Sequence, residues 1–255
     1  MSDNSKDTEQ LKNRLRDLAD KSYAQSIYTF TPFLGLSEQD IFSQIKNELM
    51  YAHPTVYGGH DNPERVIISF GDEESLGYSA PYPVVCLHIT PMAPKFAEKL
   101  SHRDFLGALM NLGIERSTLG DILVNEKECY LFCLENISEF IIDNLDKVRH
   151  NFVKCNIVSN IKEVPREEPR ELTVQVASLR ADALISKVYN LSRESSLELF
   201  RSSRIFINGR ETTDNSRSLK PGDVVNARGF GKFTLCNDSH ATRKGKISQT
   251  VLVYK

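Results

Sequence analysis

Apolar positions change their spacing along the chain, and each change predicts a different element. Leu11, Leu15 and Leu18 set one helical stripe, and Ile41, Phe42, Ile45 and Leu49 set a second. Ser37, with Asp40 three residues on, predicts the start of that second helix. Tyr57-Gly58-Gly59-His60 reads as a turn-rich loop, and Glu64-Arg65 leads into a strand over Val66-Ile67-Ile68. From Pro83 the pattern is regular. Val84 to Ile89 predicts a strand, and Ser101 caps a helix through Phe105, Leu106, Leu109 and Met110 that stops near Gly113. Ile122 to Val124 and Cys129 to Leu134 predict strands joined by a polar turn at Asn125 to Lys127. Asn136 caps a further helix through Phe140, Ile141, Leu145 and Val148, and a strand over Phe152 to Val158 closes the series. The order β-α-β-β-α-β is the split βαβ, or ferredoxin-like, arrangement.

Val164-Pro165-Arg166-Glu167-Glu168-Pro169-Arg170 then sets prolines among charges and predicts an extended linker. Beyond it, Ala181, Leu184, Ile185 and Val188 form one face of a short helix. Ser192 caps a second helix, which turns Ser196, Leu199, Phe200 and Ser203 inward and Arg193, Arg201 and Arg204 outward. Ile205-Phe206-Ile207 is a β-rich run ending in the tight turn Asn208-Gly209. Pro221-Gly222 makes another turn, followed by Val224-Val225 and Arg228-Gly229-Phe230-Gly231-Lys232-Phe233. Two small helices on a twisted hairpin, with arginines outward, make a shelf for phosphates. The fold class is therefore α+β. It comprises an N-terminal α+β domain over 1–80, a ferredoxin-like (RRM-like) domain over 81–160, a linker over 161–173 and a module of two helices on a hairpin over 174–255. Many single-strand RNA binders use the ferredoxin-like arrangement, which makes 81–160 a candidate RNA-binding domain.

Charge sharpens this division. The whole chain carries a net charge of −2, yet residues 171–255 hold 14 Lys+Arg against 8 Asp+Glu, and the first 170 residues hold the other 18 against 26. A basic module on an acidic body points to a polyanion bound at one end. The 5 cysteines, Cys86, Cys129, Cys133, Cys155 and Cys236, have neither metal-ligand nor disulfide spacing. No signal peptide or membrane-spanning apolar run is visible, so the expectation is a cytoplasmic, reduced protein.

Candidate chemistry dissolves on inspection. His102-Arg103-Asp104 resembles the opening of a kinase catalytic loop, but Leu109 stands where the metal-binding Asn belongs. No Gly-x-Gly-x-x-Gly follows a strand. Tyr130 and Phe132 lie where RRM-type sheets stack bases. Without the Gly-aromatic signature, buried packing is the favoured role for both. Arg180 has two readings, a phosphate contact or an ion pair with Asp182 that orients the helix.

Arg180, Asp182, Ser192-Arg193, Ile205, Ile207, Asn208-Gly209, Leu219, Gly222-Asp223 and Arg228-Gly229 resemble the S4-type (αL) RNA-binding domain. Ser203 departs from the pattern, where the family has Gly. The resemblance extends to Tyr57-Gly58-Gly59, Glu64-Arg65, the run Leu100 to Leu109, Asn111-Leu112-Gly113-Ile114, Arg116, Gly120 to Val124 and Thr242 to Lys246. Together these resemble the YlmH family of Gram-positive bacteria, which lies in a cell-division gene neighbourhood. The resemblance implies a non-enzymatic protein binding ribosomal RNA and tRNA on the large ribosomal subunit, in ribosome-associated quality control of stalled peptidyl-tRNA. It implies a monomer with no cofactor, metal, membrane or small-molecule substrate. Expected RNA contacts are Arg180, Ser192, Arg193, Arg201, Arg204, Asn208, Arg210, Lys220, Arg228, Lys232, Arg243, Lys244 and Lys246, with secondary contacts at Arg65, His102, Arg103 and Arg116. The alternatives are an RNA-modifying enzyme of pseudouridine-synthase type anchored by its S4 domain, and a cell-division adaptor.

Overall fold

The computed structural model describes residues 3–159, 164, 168–242 and 245–254. The chain is α+β and divides into two compact units, Met1–Pro165 and Arg166–Lys255.

The first unit begins with α1 (Asp3–Gln25), β1 (Thr29–Phe30), α2 (Leu36–Ile45), a 3-10 turn (Lys46–Ala52), β2 (Thr55–Tyr57), β3 (Ile67–Phe70) and α3 (Glu73–Leu76). The strands form an antiparallel sheet in the order β1-β3-β2. Ser37 does not start α2. Gly35 does, and its N–H donates to the Glu38 carboxylate at 2.6 Å, satisfying a donor that the helix leaves open. Leu15 and Ala19 of α1 and Phe42 and Ile45 of α2 bury against Ile68 and Phe70.

The regular pattern from Pro83 becomes β4 (Val84–Pro91), α4 (His102–Asn111), β5 (Leu119–Asn125), β6 (Glu128–Leu134), α5 (Glu135–Asn144), β7 (Lys147–Val148) and β8 (Asn151–Ile157). The antiparallel order β5-β6-β4-β8-β7 places the first strand between the third and the long last one, as a split βαβ requires. Ser101 caps α4 through its N–H and hydroxyl to the Asp104 carboxylate, at 2.8 and 2.7 Å. The expectation for α5 needs correction. It starts one residue before Asn136 and ends at Asn144. Val148 belongs to β7, a two-residue strand paired with β8, and still reaches the same core as Leu145. Helical spacing was there, but a hairpin delivers those side chains inward instead.

Successive residues of β6 point to opposite faces. Cys129, Leu131 and Cys133 pack with Phe105, Leu109 and Ile141 of the helices. Tyr130 and Phe132 pack on the other face with Phe33, Ile67, Cys86 and Val164. Both faces are covered, which explains a continuous apolar strand where a one-sided sheet would alternate. Residues 1–80 and 81–160 thus share part of their core within one unit.

The second unit contains β9 (Arg170–Val176), α6 (Ala181–Val188), α7 (Arg193–Arg201), β10 (Ile205–Ile207), β11 (Arg210–Glu211), β12 (Val224–Ala227), β13 (Gly231–Ala241) and β14 (Ile247–Tyr254). Its antiparallel sheet runs β11-β10-β12-β13-β14-β9. The expected linker to residue 173 is too long. Arg170 already pairs with Val253, because β14 offers β9 a free edge to join. Residues 160–163 and 165–167 of that stretch lie outside the described residues. Leu184, Ile185, Leu199 and Phe200 bury against Ile205, Ile207, Val225 and Phe233. Ser203 ends α7 in the left-handed region, at φ 53°.

Candidate nucleic-acid interface

At one end of the helix pair, α6 and α7 are tied by Ser196 Oγ, which donates to the Asp182 carbonyl at 2.9 Å. Arg180, the N-cap residue of α6, clamps the Asp182 carboxylate through Nε at 3.0 Å and Nη2 at 2.9 Å. Asp182 also accepts from Asn215 Nδ2 at 3.2 Å and the Ala183 N–H at 2.9 Å. Arg180, first among these, holds the carboxyl below the usual aspartate range. Of the two readings of Arg180, the ion pair is the one the structure shows. Asn215 is a partner that sequence reasoning missed, since nothing local ties it to Asp182.

The Ser192 hydroxyl is likewise engaged, accepting the Ser195 N–H at 3.0 Å as the cap of α7. Arg193 begins that helix, one turn before Ser196. It is exposed and has no ion-pair or hydrogen-bond partner among the described residues. Arg201 differs. It pairs with Glu194 at 2.6 Å and Glu198 at 3.5 Å, so the outer face of α7 is not the plain row of cations expected.

Asn208 is a turn residue. It donates to Asp223 at 2.8 Å and accepts the Val224 N–H at 2.9 Å, stitching the β10–β11 turn to β12. Arg204 donates to the Arg228 carbonyl and lies over the Phe230 ring at 5.7 Å. Arg228 lies over Phe206 at 5.0 Å, and Lys232 over Tyr254 at 5.3 Å. Arg210, Lys220 and Lys246 are exposed, with no side-chain partner among the described residues. Arg243 and Lys244 lie outside the described residues.

In the first unit the expected secondary contacts separate. Asp121 is 8% exposed and accepts from His60 Nε2 at 2.9 Å, the Glu64 N–H at 2.7 Å and the Arg65 N–H at 3.0 Å, with His60 taken as the donor. The Arg65 guanidinium donates to the carbonyls of Leu119, Phe33 and Arg116 at 2.8, 2.9 and 3.2 Å. Arg116 donates to the carbonyls of Leu119 and Gly120 at 2.8 and 3.1 Å. Burial lowers the pKa of both arginines, and the Arg65 charge helps bring Arg116 down to about 10. These side chains form a clasp within the unit, several of their donors given to main-chain carbonyls. His102 and Arg103 remain on the exposed first turn of α4. Among the described residues, no three His, Cys, Asp or Glu side chains are grouped to hold a metal ion. No described helix is long and apolar enough to cross a membrane.

The fold and these surfaces define a two-unit α+β chain in which a split-βαβ domain precedes a basic helix-pair module. Residues 80–162, which frame the split-βαβ domain, match the family model described as "Putative RNA-binding domain in YlmH". The chain is similar to the Ribosome-associated protein quality control protein P2 of Bacillus subtilis (strain 168), with 26% identity over 217 residues covering 85% of this chain and 83% of the relative. A solved structure, the cell division protein YlmH from Streptococcus pneumoniae, aligns with a TM-score of 0.49 and 15% identity, covering 62% of this chain and 95% of the other. The resemblance to the YlmH family rests on the family-model match and on the Bacillus subtilis relative.

Proposed function

We propose that this protein binds structured RNA through its C-terminal unit, which is an S4-type module, and catalyses no reaction on it. The observation that carries this reading is the set of exposed cations Arg193, Arg210, Lys220 and Lys246, none with a side-chain partner among the described residues. Guanidinium and ammonium groups left in water can displace the counterions condensed on RNA phosphates, whereas those held by carboxylates or carbonyls cannot do so cheaply. The ligand is ribosomal RNA with tRNA on the large ribosomal subunit, and the setting is quality control of stalled peptidyl-tRNA in the cytoplasm. The name of the Bacillus subtilis relative supports this setting.

The test is a filter-binding titration of the full chain against ribosomal RNA over a salt series. Affinity should fall steeply as salt rises, with a slope set by the number of phosphates neutralised. A flat salt response, or no binding at low salt, refutes the reading. Mass spectrometry of ribosomal and transfer RNA from cells with and without the protein tests the second half. A modified base that vanishes on deletion would show catalysis.

A further inference from the structure

The hairpin between β12 and β13 carries Phe230 at its tip. Gly229 and Gly231 flank it at φ 84° and 114°, a backbone that glycine adopts without strain, and the phenyl side chain is left 40% exposed. Glycine is needed at 229 for a second reason. A Cβ there would stand 2.6 Å from Arg204 Nη2, where the guanidinium reaches under the turn to the Arg228 carbonyl. Arg204 thereby lies over the Phe230 ring, and Tyr189 lies 5.7 Å from it at a tilt of 47°. Arg228 and Lys232 follow on either side of the tip, themselves set over Phe206 and Tyr254. An exposed aromatic ring is thus oriented by its neighbours and placed among cations.

We propose that Phe230 and Arg204 form a stacking subsite for one unpaired base of the bound RNA, with Arg228 and Lys232 against the adjoining phosphates. The inference rests on RNA binding by the C-terminal unit and adds the form of RNA it selects. Bases in a duplex are stacked on one another and have no face to offer. Bases in a loop, a bulge or a flipped position do, and an aromatic beside arginine suits any of them. The fixed ring also lowers the ordering cost of binding.

The experiment compares two probes on the full chain: a stem-loop RNA with 2-aminopurine in its loop, and a fully paired duplex of the same stem. The native protein should quench the 2-aminopurine and prefer the stem-loop. Phe230→Ala should weaken stem-loop binding about tenfold, within the range for loss of one stacked base, and leave duplex binding unchanged. Phe230→Leu, which keeps apolar bulk without a ring, should behave like the alanine variant, while Phe230→Trp should retain affinity and quenching. Thermal melts establish that each variant is folded. Unchanged stem-loop affinity in folded Phe230→Ala and Phe230→Leu overturns the inference, as does an equal loss on both RNAs, and RNA binding itself then stands. Failure of the native protein to bind either RNA overturns both readings.

Discussion

Arg180 and Arg193 both begin short helices, yet one is committed and the other is open. The difference is a carboxylate. Asp182, 5% exposed, is near enough to accept both prongs of the Arg180 fork, and Asn215 completes its shell. A carboxyl whose folded pKa is depressed stabilises the fold above its unfolded value, about 3.9, and loses that contribution as pH falls through the folded value. Asp182→Asn should cost about 1–3 kcal/mol near neutral pH, the range for charged hydrogen bonds, and less in acid. Urea melts of both proteins across the acid range would check this, and an equal deficit at every pH would count against the ion pair. Arg193→Ala should leave melting unchanged and weaken ribosomal-RNA binding by about 1–3 kcal/mol, with a salt slope about one unit smaller. Arg193→Lys should recover only part of the loss, because an ammonium lacks the bidentate fork. Filter binding over a salt series reads affinity and slope for both variants, thermal melts read folding, and a folded Arg193→Ala protein with native affinity and slope would move the RNA site elsewhere.

At the scale of elements, β5 and β6 hold the first unit together by packing on both sides. Gly120 of β5 lies so close to the N-terminal segment that a Cβ would stand 2.7 Å from Phe33 Cε1 and 3.0 Å from Phe132 Cβ. Both rings are buried and have nowhere to move. Gly120→Ala should therefore destabilise the first unit by about 1–3 kcal/mol, the usual cost of overpacking. Chemical denaturation followed by tyrosine fluorescence would measure it, and an unchanged midpoint would show that Phe33 can yield. Most of these elements were legible. Ser101 and Ser192 cap the helices expected of them, and Asn208-Gly209 turns where a hairpin turn was read. The failure at α5 has a specific cause. Leu145 and Val148 continue a helical spacing after the helix has ended, because periodicity reports only that a side chain goes inward.

Across the whole molecule, the five cysteines offer a direct probe of packing. Burial raises the Cys86 and Cys133 thiols to about 12 and Cys155 to about 11, and puts Cys129 well above the ordinary range. Cys236, in the second unit, is partly exposed. A thiol-specific reagent at mildly alkaline pH should label Cys236 first in the native protein and reach the other four only on unfolding, since the thiolate is the reactive form. Peptide mass spectrometry of labelled samples decides it. Early labelling at Cys129 would contradict the double-sided packing of β6.

Local chemistry was enough to place most of the helices, the caps at Ser101 and Ser192, the Asn208-Gly209 turn and the order of the split βαβ, but not the starts of α2 and α5. The features it placed depend on side-chain spacing and on bonds within a few residues. The basic bias of the second unit was equally plain, being a sum that needs no geometry. Which cations face water was decided by the fold alone. Arg65 was expected among the secondary RNA contacts, but chain folding brings main-chain carbonyls to it from Phe33 and Leu119. Arg180 likewise loses its freedom to a carboxylate fixed in part by Asn215, far along the chain. Tyr130 and Phe132 are buried as the missing Gly-aromatic signature led one to expect, but which side chains cover them only the fold decides. Phe33, Ile67 and Val164 close over them, because burying large aromatic surface outweighs leaving it wet.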